Sequence, residues 1–390
     1  MMDTDTDIAV VGGGLVGLAA ALALRASGQR VTLLDSQTLA GRNDPRASFL
    51  ARSSLRMLDR LGVEMNAQPV SAILATEAVP GRPARQGSLQ FEPQTGADLG
   101  AVVENAELHR ALLDVVRASD IHVREGVTVR DARPGPGRVD LDLTEGTLTV
   151  RLLAAADGRS SPLRRLAGIG VERHEYGQRA LTFSITHSRP HGGAAYQVFF
   201  PGGPLALLPL TGDRSSVVWT DRPAAIAAAE ALSPEGLADE LRYRIGDTLG
   251  DVAIADTPAS YPLEQRLATS VTGERLALLG DAAHVIHPLA GQGVNLGLRD
   301  AAALADTVGQ ATGLGRDIGG PALADYARWR AGDIGGMATV TDALLHAYRL
   351  PGPLGSARRL ATSLIDGSAL GAFFAREAAG ERPNLPALMA

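Results

Sequence analysis

Two short stretches carry residue types that could hold a reactive small molecule. Gly280-Asp281 follows an apolar run, residues 276–279, that reads as a buried strand. An aspartate leaving the carboxyl end of a strand can accept hydrogen bonds from hydroxyls such as those of a ribityl chain. Gly291-Gln292-Gly293 stands just before a helix that begins at about Val294, after a loop carrying Pro288. Free N–H groups and the positive end of the helix dipole point outward there, and glycines let an anion approach the backbone. Asp281, His284 and His287 also invite a metal reading. His287 shares a loop with Pro288 while His284 lies near the strand exit, and no helical Glu-x-x-His context accompanies them, so no metal site is expected. No G-x-S-x-G elbow follows a strand, which sets serine hydrolysis aside. Redox chemistry on a bound cofactor remains.

The elements that must position such a cofactor begin at the amino end. Residues 8–11 form a buried parallel-type strand, followed by Gly12-Gly13-Gly14-Leu15-Val16-Gly17, a helix over 18–26 and a strand over 30–34 that ends in Asp35. This is G-x-G-x-x-G in its required context, with an acid spaced for a ribose hydroxyl. The motif alone does not separate FAD from NAD. Residues 43–50 lead into a helix to Leu61, where Arg46 reads from the residues alone as a solvated helix-start side chain. A helix from about residue 105 to 118 has Asn105 as its N-cap and Leu108, Leu112, Leu113 and Val116 on its buried face, with His109 structural. Residues 122–131, which include Val127, and 139–153 alternate like strands around a Pro-Gly-Pro-Gly turn. Asp157-Gly158 then reads as a strand-end turn before a helix capped by Ser160 or Ser161.

From 178 to about 220 the pattern changes to closely spaced strands, 180–186, 195–200, 205–210 and 216–220, separated by turns. Such spacing predicts an antiparallel sheet inserted between pieces of the cofactor domain. Strand-like pieces at 72–76 and 88–91 belong to the same excursion, 223–244 is helical, 253–262 is another strand, and 321–390 is helix-rich.

Composition narrows the function classes. The 390 residues, 45% of them hydrophobic, suffice for a large core. There is no cysteine, so disulfides and thiolate catalysis are excluded. All 37 basic residues are arginines, which excludes a Schiff-base lysine, a P-loop lysine and the lysine expected of flavin halogenases. A net charge of -6 argues against nucleic acid as a partner. The acidic start is opposite in sign to a signal peptide and no apolar stretch reaches a membrane span, so a cytoplasmic location is expected.

The segment GDAAHVIHPLAGQGVNLGLRDA, 280–301, resembles the signature of the flavin-dependent aromatic hydroxylases of ubiquinone biosynthesis. These are a branch of the single-component flavoprotein monooxygenases built like para-hydroxybenzoate hydroxylase. The run 287–300 is specific to that branch, and GPLALLPL at 203–210 followed by 215–219 is similar to it as well. The resemblance implies an α/β fold with a Rossmann-like FAD-binding domain in three pieces, 1–71, 99–176 and 274–330. An antiparallel-sheet substrate domain, 72–98 and 177–273, is inserted, and a helical region, 331–390, closes the chain. It implies that Gly12, Gly14, Gly17, Asp35, Arg46, Asn105, Val127, Asp157, Gly158, Asp281, Gly291, Gly293, Val294 and Asn295 hold FAD. His287 and Pro288 are then candidates for the flavin face, and Phe183, Tyr196, Phe199 and Trp219 for the substrate pocket.

The activity implied is hydroxylation of a polyprenyl phenol by way of a flavin C4a-hydroperoxide, of the 2-polyprenyl-6-methoxyphenol type, with O2 as co-substrate and NAD(P)H or another donor as transient reductant. It also implies a peripheral contact with the inner membrane or a ubiquinone-biosynthesis complex that presents the lipid. Two rivals are an FAD hydroxylase of a small soluble aromatic and a flavin-binding scaffold within a biosynthetic assembly.

Overall fold

The structure is a computed structural model that describes residues 6–42, 44–77, 89–91, 98–287, 292–349 and 384–390. Strand Ile8–Val11 forms where the first apolar run finds partners on both faces: Ile8 and Val10 join one core, Ala9 and Val11 another. Burial on both faces marks an interior strand of a parallel sheet. Val31–Asp35 and Leu152–Ala155 flank it in parallel, with Ile8 opposite both Val31 and Leu152. His122–Glu125 closes one edge, and Leu276–Leu278 with the antiparallel Thr272–Gly273 closes the other. Helices Leu15–Ala26, Asn105–Ala118 and Gln292–Gly313 supply one covering layer. The meander Val129–Gly135, Arg138–Leu143 and Gly146–Val150 supplies the other. Because the central strands run the same way, Gly12, Asp35, Ala156 and Leu279 leave the sheet at one end, where ligands of open α/β sheets gather.

A nine-stranded sheet carries the other wall. Its order is His284–Val285, Ala259–Ala268, Val171–His187, Arg214–Asp221, Gly203–Leu210, Ala194–Phe200, Ala72–Glu77 and Leu89–Phe91, with Val252–Ile254 paired to the far end of Val171–His187. Pairing is antiparallel except between Ala194–Phe200 and Ala72–Glu77. One face packs on helices Pro223–Glu230 and Pro234–Ile245 through Phe183, Trp219, Ile226 and Leu241. The two sheets are joined at His284–Val285, which extends the second sheet directly after the turn that carries Asp281.

Several boundaries differ from the sequence reading. The expected strand 180–186 is the second half of Val171–His187, and the boundary expected at 176/177 falls at a bulge between Glu175 and Gln178. The run 122–131 is two strands in two sheets, broken at Gly126, whose φ is +75°. Residues 47–51, expected as a helix approach, form a strand paired antiparallel to Gly100–Glu104, and the helix starts at Arg52. Of the expected carboxyl-terminal helical region, helix Pro321–Arg349 and residues 384–390 are described, and 350–383 lie outside the described residues. No helix among the described residues is long and apolar enough to cross a membrane.

Candidate active site

A cleft of about 430 Å³ opens between the parallel sheet's ligand end and the nine-stranded sheet. Its first wall is the glycine turn. Gly12 sits at φ +106°, and a Cβ there would stand 2.2 Å from the Ala156 carbonyl oxygen, so strands Ile8–Val11 and Leu152–Ala155 can diverge this closely only with glycine. Gly14, at the start of helix Leu15–Ala26, is the opposite case: its missing Cβ faces open space in the cleft. Gly293, in the first turn of helix Gln292–Gly313, likewise faces open space and lines the same cleft with Val294. Two helix N-termini with bare glycines therefore converge on one cavity, a cradle that fits a dinucleotide with a pyrophosphate at one end and an anionic ring edge at the other.

The cofactor candidates divide when their side chains are followed. Asp281 lines the cleft and forms no hydrogen bond or ion pair among the described residues, so its oxygens are open to hydroxyls. Arg46 also lines it, but as part of a network rather than a solvated end. Its Nε and Nη2 donate to Asp44 at 2.8 and 2.7 Å. Those bonds hold the guanidinium above its ordinary range, while burial, which opposes ionisation of Asp44, is outweighed by Arg46. Asn105 is the first residue of its helix rather than the N-cap: Nδ2 donates to Asp44 at 3.0 Å and Oδ1 accepts from Ser48 at 2.7 Å. Its side chain lines the cleft beside Arg46, held there by these two polar neighbours on the facing segment.

Asp35 ends its strand with the carboxylate engaged, accepting from the Gly13 N–H at 2.6 Å, the Gln37 N–H at 2.8 Å and Arg42 at 2.7 Å. Val127 lies outside the cleft, packed on the meander side, with its N–H donating to the Asp35 carbonyl at 2.9 Å. Gly158 lines the cleft but Asp157 does not, because its Oδ2 accepts from the Leu163 N–H at 3.1 Å and so caps the next helix, as does Ser161. Burial pushes the Asp157 carboxyl up. Asn295 is also turned away. Its Oδ1 accepts from the Ala51 N–H at 2.9 Å and Ser54 Oγ at 2.8 Å, and Nδ2 donates to the Phe49 carbonyl at 2.7 Å. A side chain so occupied has only its backbone to offer a ligand.

His287 stands apart from the other candidates. It is buried, does not line the cleft, and stands edge-on to Tyr176 with ring centroids 4.9 Å apart. Pro288 and Gly291 lie outside the described residues. His284 pairs with Asp300 at 2.6 Å and so parts company with Asp281 and His287, against the metal reading.

Strand parity turns three of the four substrate candidates away from the cleft. Thr182, Gln197, Ala206, Leu208 and Val218 face the cleft, so Phe183, Tyr196 and Trp219, one residue out of phase, face the helices on the other side. Phe199, in phase with Gln197, packs beside the cleft with Tyr176, Val218 and Tyr261. Sequence reasoning missed Asp44, Ser48, Arg159, Gln197 and Tyr261. Tyr261 lies inside the strand expected at 253–262, and its parity with Leu263 along Ala259–Ala268 was a signal available there. His109 Nε2 donates to the Gly13 carbonyl, 2.9 Å away, and buttresses the glycine turn. Burial holds its imidazole below the usual histidine range.

Comparison with known proteins agrees with this geometry. The family described as "FAD binding domain" matches residues 5–313. Ubiquinone hydroxylase UbiL of Rhodospirillum rubrum is 38% identical over 93% of this chain and 87% of its own length. The 3-demethoxyubiquinol 3-hydroxylase of Escherichia coli is 35% identical over 81% and 82%, respectively. Among solved structures, PqsL of Pseudomonas aeruginosa in complex with 2-aminobenzoylacetate superposes with a TM-score of 0.78 at 21% identity, covering 88% of this chain and 96% of that one, a likeness of fold.

Proposed function

This chain belongs to the FAD binding domain family and is an FAD-dependent aromatic monooxygenase; from that premise we propose that it hydroxylates the ring of a polyprenyl phenol in ubiquinone biosynthesis, at the 2-polyprenyl-6-methoxyphenol step. The observation that carries the reading is the cleft's two-sided character. Helix starts at Gly14 and Gly293 and the open carboxylate of Asp281 stand against an apolar sheet face of Val218, Ala206 and Leu208. A dinucleotide fits the first wall and an apolar ring the second.

Bound FAD supplies the redox chemistry and the activation of O2, with NAD(P)H as transient reductant. The chain's own residues bind and orient. Gly14 would admit the pyrophosphate, with Gly12 and Gly17 allowing the tight turn and close packing behind it, Asp281 would accept from hydroxyls, and the N–H groups at Gly293 and Val294 would favour negative charge on the bound ring. Arg46, Asp44 and Asn105 fix the segment beside it. The apolar wall excludes water from the reacting face. A polyprenyl substrate would bring the protein to a membrane surface or to a partner that holds the lipid.

The test is product analysis with three substrates: a short-chain 2-polyprenyl-6-methoxyphenol, the corresponding demethoxyubiquinol and a small soluble phenol. Hydroxylation of the first in preference supports the proposed step. Preference for the second moves the chain to a later ring position, and preference for the third removes the lipid. Bound FAD with no oxygen consumption on any of them would leave a scaffold.

A further inference from the structure

Within the first turns of helix Gln292–Gly313 begins a chain of buried charges that holding FAD does not use. Arg299 pairs with Asp333, Asp333 with Arg330, Arg330 with Asp300, and Asp300 with His284. Arg299, Asp300 and Arg330 are almost wholly buried, and His284 is 2% exposed. Two aspartates and two arginines cancel, so the net charge of the chain turns on whether His284 carries one proton or two. His284 is also the member that lines the cleft, together with Asp281, Gly293 and Val294. Its Nε2 donates to Asp300 Oδ2 at 2.6 Å, which leaves Nδ1, without a hydrogen-bond partner among the described residues, to take the second proton.

The charged and titratable groups around that imidazole come from each element packed on the turn. Helix Gln292–Gly313 brings Asp300 and Arg299, and helix Pro321–Arg349 brings Arg330, Asp333 and Tyr326. Tyr326 donates to the Leu278 carbonyl at 2.7 Å, and burial keeps its hydroxyl protonated. Arg164 reaches the turn through the Ala282 carbonyl, and Asp281 stands on the turn itself. On the neighbouring strand Leu267 lies opposite His284, and the adjacent Arg266 is held by Glu264. Carboxylates and arginines keep their charge at neutral pH, so in this group the histidine is the side chain whose charge can change there.

We propose that His284, held by Asp300, takes up a proton when the bound flavin is reduced and so balances the charge placed on the ring. The inference rests on the reading that seats the ring at the helix start of Gly293 and Val294, and it assumes nothing about the aromatic substrate. A hydride from NAD(P)H carries two electrons and one proton to the ring and leaves it with one negative charge. Nδ1 of His284 binds one further proton, taken from water, and Asp300 faces the resulting imidazolium. Asp300 stands seven positions after Gly293, about 10 Å along the helix axis. Unit charges at that separation inside a protein alter each other's equilibria by roughly tenfold. The coupling is reciprocal, so the protonated histidine favours reduced over oxidised flavin by about the same factor, about 30 mV for a two-electron couple.

The midpoint potential of the FAD-loaded protein, measured by spectroelectrochemical titration from about pH 5 to pH 9, tests this. One proton taken up per two electrons lowers the potential by about 30 mV per pH unit, and two protons lower it by about 60 mV. The wild type should show a two-proton stretch about one pH unit wide while the spectrum of the reduced flavin stays that of the anion. His284→Asn keeps a donor toward Asp300 but cannot hold the extra proton, and it should lose that stretch, with FAD content as the folding control. Asp300→Asn should move the stretch to lower pH, and it carries the assignment if His284→Asn loads no FAD. A one-proton slope throughout in the wild type overturns the proposal and leaves the seat of the ring intact. So does a two-proton stretch that persists in His284→Asn or stays in place in Asp300→Asn, which puts the proton on another group. A bound reduced flavin that turns neutral at the same pH as free reduced flavin removes the seat at the helix start, and the proposal with it.

Discussion

The Asp300 carboxylate holds His284 at 2.6 Å through Oδ2, and the same oxygen accepts the Gly280 N–H at 2.8 Å. Its Oδ1 accepts from Arg330 Nε at 2.6 Å, and Arg330 also pairs with Asp333. One fully buried aspartate on helix Gln292–Gly313 thus fixes the turn that carries Asp281, the strand that joins the two sheets and helix Pro321–Arg349.

Asp300→Ala leaves the buried Arg330 without its main counter-charge and should cost about 3–5 kcal/mol in denaturant unfolding of the apoprotein. Asp300→Asn, which keeps the shape, should cost less. Burial alone would raise this carboxyl, but His284 and Arg330 outweigh it and hold it below the usual range. A depressed carboxylate contributes stability above its unfolded pKa and loses it as pH falls through the folded value. The wild type should therefore weaken in acid, and the two variants should show a flatter acid limb. An unchanged acid limb in Asp300→Asn would remove this carboxylate from the linkage.

Asn295 ties the start of helix Gln292–Gly313 to Phe49, Ala51 and Ser54. Asn295→Leu strands a buried carbonyl, a buried N–H and the Ser54 hydroxyl, at about 1–3 kcal/mol for each group left unsatisfied. Thermal unfolding should fall accordingly, and FAD affinity should fall with it because Gly293 and Val294 lose their anchor. Loss of FAD affinity with unchanged melting would instead give Asn295 a direct contact.

The glycine turn, the parallel strands and the inserted sheet were legible from the sequence because each rests on a local pattern: apolar runs, glycines at fixed offsets, regular turn spacing. The directions of polar side chains were not. Asp157 and Asn295 stand where a cofactor residue should, yet their partners, Leu163 and Phe49, hold their side chains away from the cleft. Aromatic type was a poor guide to the pocket for a related reason. Parity in a sheet is decided by which face meets helices, and Trp219 and Phe183 fill the face under Pro223–Glu230 and Pro234–Ile245.

That parity separates two variants. Trp219→Ala, in a fully packed core, should cost about 3–5 kcal/mol and leave the KM of the folded fraction near wild type. Val218→Phe, one residue away on the cleft side, should fold and raise the KM for the aromatic substrate. A KM effect of Trp219→Ala matching that of Val218→Phe would contradict the assigned faces.

Gly12 and Gly14 make a similar pair. Gly12→Ala meets the Ala156 carbonyl in a left-handed backbone and should give little folded protein. Gly14→Ala has room and an ordinary φ of −77°, so melting should change by about 1 kcal/mol or less. Its methyl group would point into the cleft, and FAD titration should show at least a tenfold loss, about 1.4 kcal/mol. Unchanged affinity would place the pyrophosphate elsewhere.

The most direct measurement is a reaction of the FAD-loaded protein with NADPH, isotopically heavy dioxygen and a short-chain prenylated methoxyphenol, followed by mass spectrometry of the ring. The account predicts one heavy oxygen atom in a new ring hydroxyl, formed only when the yellow flavoprotein is present. A protein that binds FAD and is reduced, yet returns the phenol unlabelled while all the oxygen becomes peroxide, would contradict it.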